Sequence, residues 1–230
     1  GTDQYGFHSS SCNDWTGGAI IGVAFWGGMS GRGPGGWSNN VLNFDCVTPQ
    51  RLYCMMYGAR GTVTPATTTG KRIWVSQDML FPSAGADPDA TCMMFPPSGV
   101  NSARALIART TGSAAGALVP AQTYVRPDGI RVGTGAEIIA AGVDVMPPNP
   151  PLNALRSGIW QWSNGTYDNS EVWTGAFDLT TPGDMASTCG NWQSSAGQGQ
   201  LGSPWDTARG VFAGRQYDCS VSRPVYCVEQ

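Results

Sequence analysis

Charge is scarce in this sequence: 13% of residues are Asp, Glu, Lys or Arg, and lysine and histidine each occur once, as Lys71 and His8. With a formal net charge of −3 and no basic run, the chain offers no electrostatic footprint for a phosphate backbone. Nucleic acid is therefore set aside as a partner, and heparin-like polyanions lose weight too. Any histidine-based triad or zinc cluster would have to be built around His8, in a segment that reads as an N-terminal tail, so catalysis there is not expected. No run of about 18 apolar residues exists to cross a bilayer, and no transmembrane segment is expected. Gly1 opens no charged-then-apolar signal pattern, so the chain reads as a mature or trimmed product. Cys-x-x-Cys is absent, which weakens metal ligation by cysteine. The Gly-rich stretch 31–36 lacks the Lys-Ser/Thr ending of a phosphate loop and reads as loop.

Glycine, proline and tryptophan are plentiful. The 230 residues include 32 Gly, 16 Pro, nine Trp and seven Tyr, the composition of a loop-rich globular chain long enough for one large domain or two small ones. Tryptophan and tyrosine bring large apolar bodies with polar tips, suited either to a core beneath long loops or to a ligand surface. Seven cysteines in recurring spacings point to an oxidising compartment: secreted, extracellular or on the outer cell surface.

Those spacings form an internal repeat. Cys12-Asn13-Asp14-Trp15 matches Cys189-Gly190-Asn191-Trp192 as Cys-x-x-Trp, and Phe44-Asp45-Cys46 with Tyr53-Cys54 matches Tyr217-Asp218-Cys219 with Tyr226-Cys227. Each copy carries a Gly/Ser-rich stretch interrupted by a tryptophan, Trp37 or Trp205. Residues 1–57 read as the C-terminal part of one copy, 58–70 as a linker of Gly and Thr composition, and 71–230 as a complete domain. A fragment as short as 1–57 invites either an upstream fragment or self-association to complete it.

Within the complete copy, Arg72-Ile73-Trp74-Val75-Ser76 alternates with a β-branched bias and predicts an opening strand. Residues 86–95 predict a short helix with Asp87 as N-cap, Pro88 in its first turn and Cys92 within it. Residues 103–108 fit strand or helix equally. Residues 124–132 carry hairpin chemistry at Asp128-Gly129, and 136–141 predicts a second helix. Pro147-Pro148-Asn149-Pro150-Pro151 reads as loop. Residues 158–162 alternate up to the Asn164-Gly165 turn, 171–175 is a further strand candidate, and 224–229 a last one. Short strands, few helices and long loops make the class α+β.

The sequence resembles a known family in the order of its motifs: Ala86-Asp87-Pro88-Asp89-Ala90-Thr91-Cys92, then Ile159-Trp160-Gln161-Trp162-Ser163-Asn164-Gly165, Val172-Trp173-Thr174-Gly175, Cys189-Gly190-Asn191-Trp192 and the terminal Val225-Tyr226-Cys227-Val228-Glu229-Gln230. Over residues 71–230, with an echo in 12–57, it resembles the bacterial endostatin-like domain of leptospiral and myxobacterial surface proteins, and more distantly the endostatin module of collagens. The resemblance implies a C-type-lectin-like fold with the pairs Cys92–Cys227 and Cys189–Cys219. In the truncated copy it implies Cys12–Cys46 and leaves Cys54 unpaired or interchain, a departure from the family pattern. It also implies a ligand among host matrix or complement-regulating proteins. Collagen-derived endostatin holds zinc through histidines near its start; this sequence has no such cluster, so no zinc is carried over.

Several residue groups stand as candidates for chemistry. Asp87 with Asp89, and Asn164, Asp168, Asn169 with Glu171, are oxygen-rich groups of the kind calcium takes. The simpler reading makes the first pair cap and first-turn residues and the others turn and surface groups, so no cofactor is expected and calcium stands as the weak alternative at Asp168, Asn169 and Glu171. Trp205, Trp37, Trp173 and Tyr167 are the ligand-surface candidates. Trp160 and Trp162, on one face of an alternating segment, are expected in the core. No pair of carboxylates is singled out for hydrolysis. The expectation is a binding or adhesion module, not an enzyme, recognising a surface protein or carbohydrate on a host, prey or matrix surface. The alternative is a structural subunit of an extracellular filament or multi-chain surface assembly.

Overall fold

The structure, a computed structural model, describes the strands Val23–Trp26 and Asn40–Asp45 and residues 66–141, 155–167, 170–207 and 209–230. The chain divides into two compact units, Gly1–Pro65 and Ala66–Gln230. In the first unit, strands β1 (Val23–Trp26) and β2 (Asn40–Asp45) pair antiparallel, with Val23 opposite Asp45 and Phe25 opposite Asn43. Cys12, Cys46, Cys54, Trp37 and His8 lie outside the described residues, as do Asp168, Asn169 and the proline-rich run 147–151.

The second unit is a mixed α+β fold with two sheets, two short helices and two disulfides. Its strands are β3 (Lys71–Val75), β4 (Ala103–Ala105), β5 (Thr123–Val125), β6 (Arg131–Thr134), β7 (Val172–Trp173), β8 (Gln198–Gly202), β9 (Gln216–Asp218) and β10 (Tyr226–Glu229). The larger sheet runs β4-β10-β3-β5-β6, antiparallel throughout except for the parallel pair β3–β5. Its centre joins the unit's first strand to its last: Val75 lies opposite Tyr226 and Ile73 opposite Val228, and the Arg72 amide donates to the Glu229 carboxylate at 2.8 Å. The smaller sheet, β7-β8-β9, is antiparallel.

The alternation of β3 and β10 sorts their side chains into two core layers, because successive residues of a strand point to opposite faces. Ile73, Val75, Tyr226 and Val228 enter one layer with Leu106, Ile138, Ile159 and Phe212. Trp74 and Cys227 enter the other with Cys92, Trp173, Trp192, Cys189 and Cys219. A sheet covered on both faces buries Ile73, Trp74 and Val75 in succession, where alternation alone would leave one face to solvent.

Helix α1 (Pro88–Met94) starts as its sequence predicts: Asp87 is the N-cap and accepts the Asp89 amide at 2.9 Å, and Pro88 needs no donor in the first turn. Its Cys92 is bonded to Cys227 on β10. Helix α2 (Gly135–Ala141) opens on a reciprocal cap, in which Thr134 Oγ1 accepts the Glu137 amide and the Glu137 carboxylate accepts the Thr134 amide. Residues 103–108, open between helix and strand by periodicity, form the strand β4 at their start.

The segment 158–162 departs from expectation. It makes only isolated bridges, Val75 to Trp162 and Gln161 to Tyr167, and its buried side chains are Ile159 and Gln161. Trp162 packs half-buried against the first core layer, while Trp160 faces outward onto Tyr167. The physical reason is a buried hydrogen-bonding role for Gln161, which turns that residue inward.

Candidate functional site

The site grows from the turn between β5 and β6. Gly129 holds a φ of +80°, which glycine adopts without a Cβ penalty, and the turn closes through Arg126 N to Ile130 O and Gly129 N to Arg126 O, each 2.9 Å. Asp128 Oδ1 accepts the Ile130 amide at 3.0 Å, so the aspartate fixes the turn that carries it. A second turn, 162–166, lies against the first. Trp162 N donates to Thr166 O at 2.8 Å, and Gly165 sits at φ +87°.

Gln161 joins the two turns. Only 2% exposed, it accepts the Asp128 amide through Oε1 and donates through Nε2 to Gly165 O, both at 2.8 Å. The result brings four side chains together. Arg126 grips Asp128 with two bonds, Nε to Oδ1 at 3.2 Å and Nη2 to Oδ2 at 2.7 Å, and Tyr167 Oη donates to Asp128 Oδ2 at 2.8 Å. The Trp160 and Tyr167 rings lie 4.6 Å apart, and the Arg126 guanidinium sits 5.8 Å from the Trp160 ring and 5.5 Å from the Tyr167 ring. Arg126 is buried, Trp160 half-buried, and Tyr167 52% exposed.

Each Asp128 oxygen accepts two hydrogen bonds. Burial alone would raise this carboxyl, but the bonds from Arg126, the Ile130 amide and Tyr167, with the Arg126 charge, together hold it below the usual carboxylate range. The same bond to Asp128 raises the Tyr167 phenol, helped by its burial, so the ring stays a neutral donor.

Of the other sequence candidates, Trp173 is a correction. It is fully buried in the second core layer, 5.9 Å from Trp192, and presents no surface to a ligand; the close-packed layer that holds Cys189 and Cys219 encloses it. Trp205 is half-buried on the loop after β8, and no described ring contact joins it to Tyr167. Glu171 is engaged by Arg215 in a two-pronged pair, the shortest bond 2.8 Å. Arg215 and Arg223 both stack on Tyr217, at 5.1 and 4.8 Å. Asp89 is taken by the Ala105 amide and by Arg109, and Asn164 by the amide and hydroxyl of Thr166. Among the described residues no three metal-ligating side chains gather.

Each carboxylate with a resolved shift among the described residues, Asp128, Glu137, Asp178, Asp184 and Asp218, is lowered. Such groups are steady anions and hydrogen-bond acceptors, the opposite of an acid poised to give up a proton near neutrality. The arrangement is suited to holding a ring in place.

Sequence reasoning named Tyr167 but passed over its partners. Arg126 and Asp128 read only as a hairpin turn, and Trp160 as core. The available signal was the Asp-Gly turn flanked by an arginine two positions earlier, in a chain where charge is rare. Compared with known proteins, the chain matches no family model, and no curated protein matches it significantly.

Proposed function

We propose that the chain is an extracellular binding or adhesion module of the endostatin-like branch of the C-type-lectin-like fold, recognising a protein or glycan on a host, prey or matrix surface. The observation that carries this reading is the half-exposed Tyr167 ring, backed by Trp160 and Arg126 and hydrogen-bonded to Asp128. An aromatic ring fixed in place at the surface costs little further ordering on binding. The Asp128 carboxylate at the centre of the cluster, held below the usual range, serves there as a fixed acceptor for the Tyr167 phenol.

The fold assignment rests on the order of the motifs and on the pairing of a helix cysteine with the last cysteine, Cys92 with Cys227, around the inner pair Cys189–Cys219. Two disulfides also favour an oxidising location outside the cytosol. A further support is the position of the first unit's strands. β2 ends at Asp45, one residue before Cys46, as β9 ends at Asp218, one residue before Cys219. Their partners β1 and β8 begin eleven residues after Cys12 and nine after Cys189. Both copies of the repeat thus place an antiparallel pair between the same two motifs, which favours reading 1–57 as a partial second copy.

The test is saturable capture by the immobilised full chain of matrix proteins and of arrayed glycans. Binding in either class supports the reading, and no saturable ligand in both classes overturns it.

A further inference from the structure

We infer that the outward face of Tyr167 is a stacking subsite for a neutral pyranose ring. This deepens the binding reading above and rests on it. The distances of 4.6, 5.5 and 5.8 Å among Tyr167, Trp160 and the Arg126 guanidinium form a nearly equilateral triangle. Trp160 and Arg126 therefore lie toward one side of Tyr167. Were they on opposite faces, their own separation would approach the sum of the other two distances. Tyr167 itself is 52% exposed.

The exposed ring suits a sugar for three reasons. Its shape is a flat, apolar disc with a π-quadrupole, and the ring hydrogens of gluco- or galacto-configured pyranoses present a weakly positive apolar face to such a disc. Its orientation is set in advance by the Asp128 bond and by the Trp160 ring 4.6 Å away, which lowers the ordering cost of binding. Its charge is balanced, because Arg126 is matched by Asp128 in a two-bond pair and each Asp128 oxygen already accepts two bonds. A charged ligand would find no free counter-charge in this cluster.

A proline-rich peptide also stacks on tyrosine, but it is gripped between neighbouring ridges with a donor to its carbonyls. Here the phenol hydrogen is committed to Asp128 and is not offered to a peptide carbonyl.

The experiment is saturation-transfer NMR on the full chain with cellotetraose, chitotetraose and N-acetyllactosamine as neutral probes, a heparin-derived tetrasaccharide as the anionic one, and a proline decapeptide. We expect transfer to the ring hydrogens of at least one neutral probe. Tyr167→Ala should weaken that binding by about tenfold or more, in line with what stacking on one aromatic ring contributes, and Tyr167→Phe should keep most of it. Circular dichroism and thermal melting of both variants confirm that the fold persists. Absence of neutral-sugar binding, binding indifferent to Tyr167→Ala, or transfer to the heparin fragment or the decapeptide alone would overturn the inference. Matrix-protein capture that persists while neutral sugars fail would sink this inference alone and leave the adhesion reading standing.

Discussion

The side chain of Gln161 accepts the backbone amide of Asp128 at 2.8 Å while sitting 33 residues away in sequence. Its other end holds Gly165, so a single buried amide fixes the spacing of the two turns that carry the Arg126–Asp128 pair and lead into Tyr167. Gln161→Ala leaves the Asp128 amide and the Gly165 carbonyl without their partner. The expected cost is about 1–3 kcal/mol, measured as a lowered midpoint in urea. Hydrogen exchange should quicken at Asp128 and around Tyr167 before it does in β3 or β10. Uniform protection loss across the unit would argue against a local clamp.

Gly175 and Trp192 explain why a Trp-Thr-Gly and a Cys-x-x-Trp occur together. Gly175 has φ +80°, and a Cβ there would stand 2.6 Å from Trp192 Cζ2 and 2.8 Å from the Ala108 carbonyl, which itself accepts the Trp192 indole at 2.9 Å. Gly175→Ala combines left-handed backbone strain with overpacking and is expected to cost about 2–4 kcal/mol. Gly165→Ala, at φ +87° with open space around it, isolates the backbone part and is expected to cost about 1 kcal/mol. Equal losses at both sites would show that packing against Trp192 contributes nothing.

Acid should act through Glu137. Its carboxyl is lowered from 4.5 to about 2, first by the Thr134 amide, against a smaller opposing effect of burial, and then by the bonds from Arg156 and Arg131 and the Arg131 charge. A carboxyl held below its unfolded value makes the unfolded chain bind more protons, so this contribution to stability is present above about pH 4.5 and is lost as pH falls toward 2. The stability gap between wild type and Glu137→Gln should accordingly be constant near neutrality and close across that window. Denaturant unfolding at a series of pH values checks it; a gap that widens on acidification would contradict the cap assignment.

Cys189 begins four consecutive residues in the left-handed region: Cys189, Gly190, Asn191 and Trp192, with φ of 50°, 62°, 57° and 70°. The three that are not glycine each oppose this conformation by roughly 1–2 kcal/mol. The run is held by the bond to Cys219, by the Trp192 indole on Ala108, and by the Asn191 side chain, which accepts the Thr110 amide at 3.0 Å. The two bridges close separations of 135 and 30 residues, for which chain entropy gives about 5 and about 3.6 kcal/mol. Cys92→Ala/Cys227→Ala should therefore lower global stability more. Cys189→Ala/Cys219→Ala should instead produce the larger loss of near-ultraviolet tryptophan signal, because it frees the strained turn around Trp192. Matching spectra for the two double variants would count against this division of labour.

Much of the second unit was legible in the sequence because its signals are local. The apolar alternation of 72–76, the Asp-Pro start of α1 and the Asp-Gly turn of residues 124–132 each act within a few residues, and the structure carries all three. The pairs Cys92–Cys227 and Cys189–Cys219 were implied by the family resemblance, and the structure carries both. The cap on α2 was also readable, as Thr134 followed three positions later by Glu137, and went unused. The cluster at Tyr167 was not readable in this way: its hydrogen bond to Asp128 spans 39 residues. The inward turn of Gln161 reverses the face that alternation assigns to Trp160, since a buried hydrogen-bonding role outweighed the preference of a large ring for the interior. Trp173 shows the converse. Nothing local distinguishes an interior tryptophan from a surface one, and only the disulfide layer around it decides.

The antiparallel pairing of β3 with β10 sets the first and last strands of the second unit side by side, with Lys71 and Glu229 at the same end of the sheet. A fold whose incoming and outgoing segments share one doorway can be spliced into a surface loop of a host protein without prising the host's two loop ends apart. The residues that set the geometry of the join are Arg72 and Glu229, whose 2.8 Å bond works as the clasp of a cartridge.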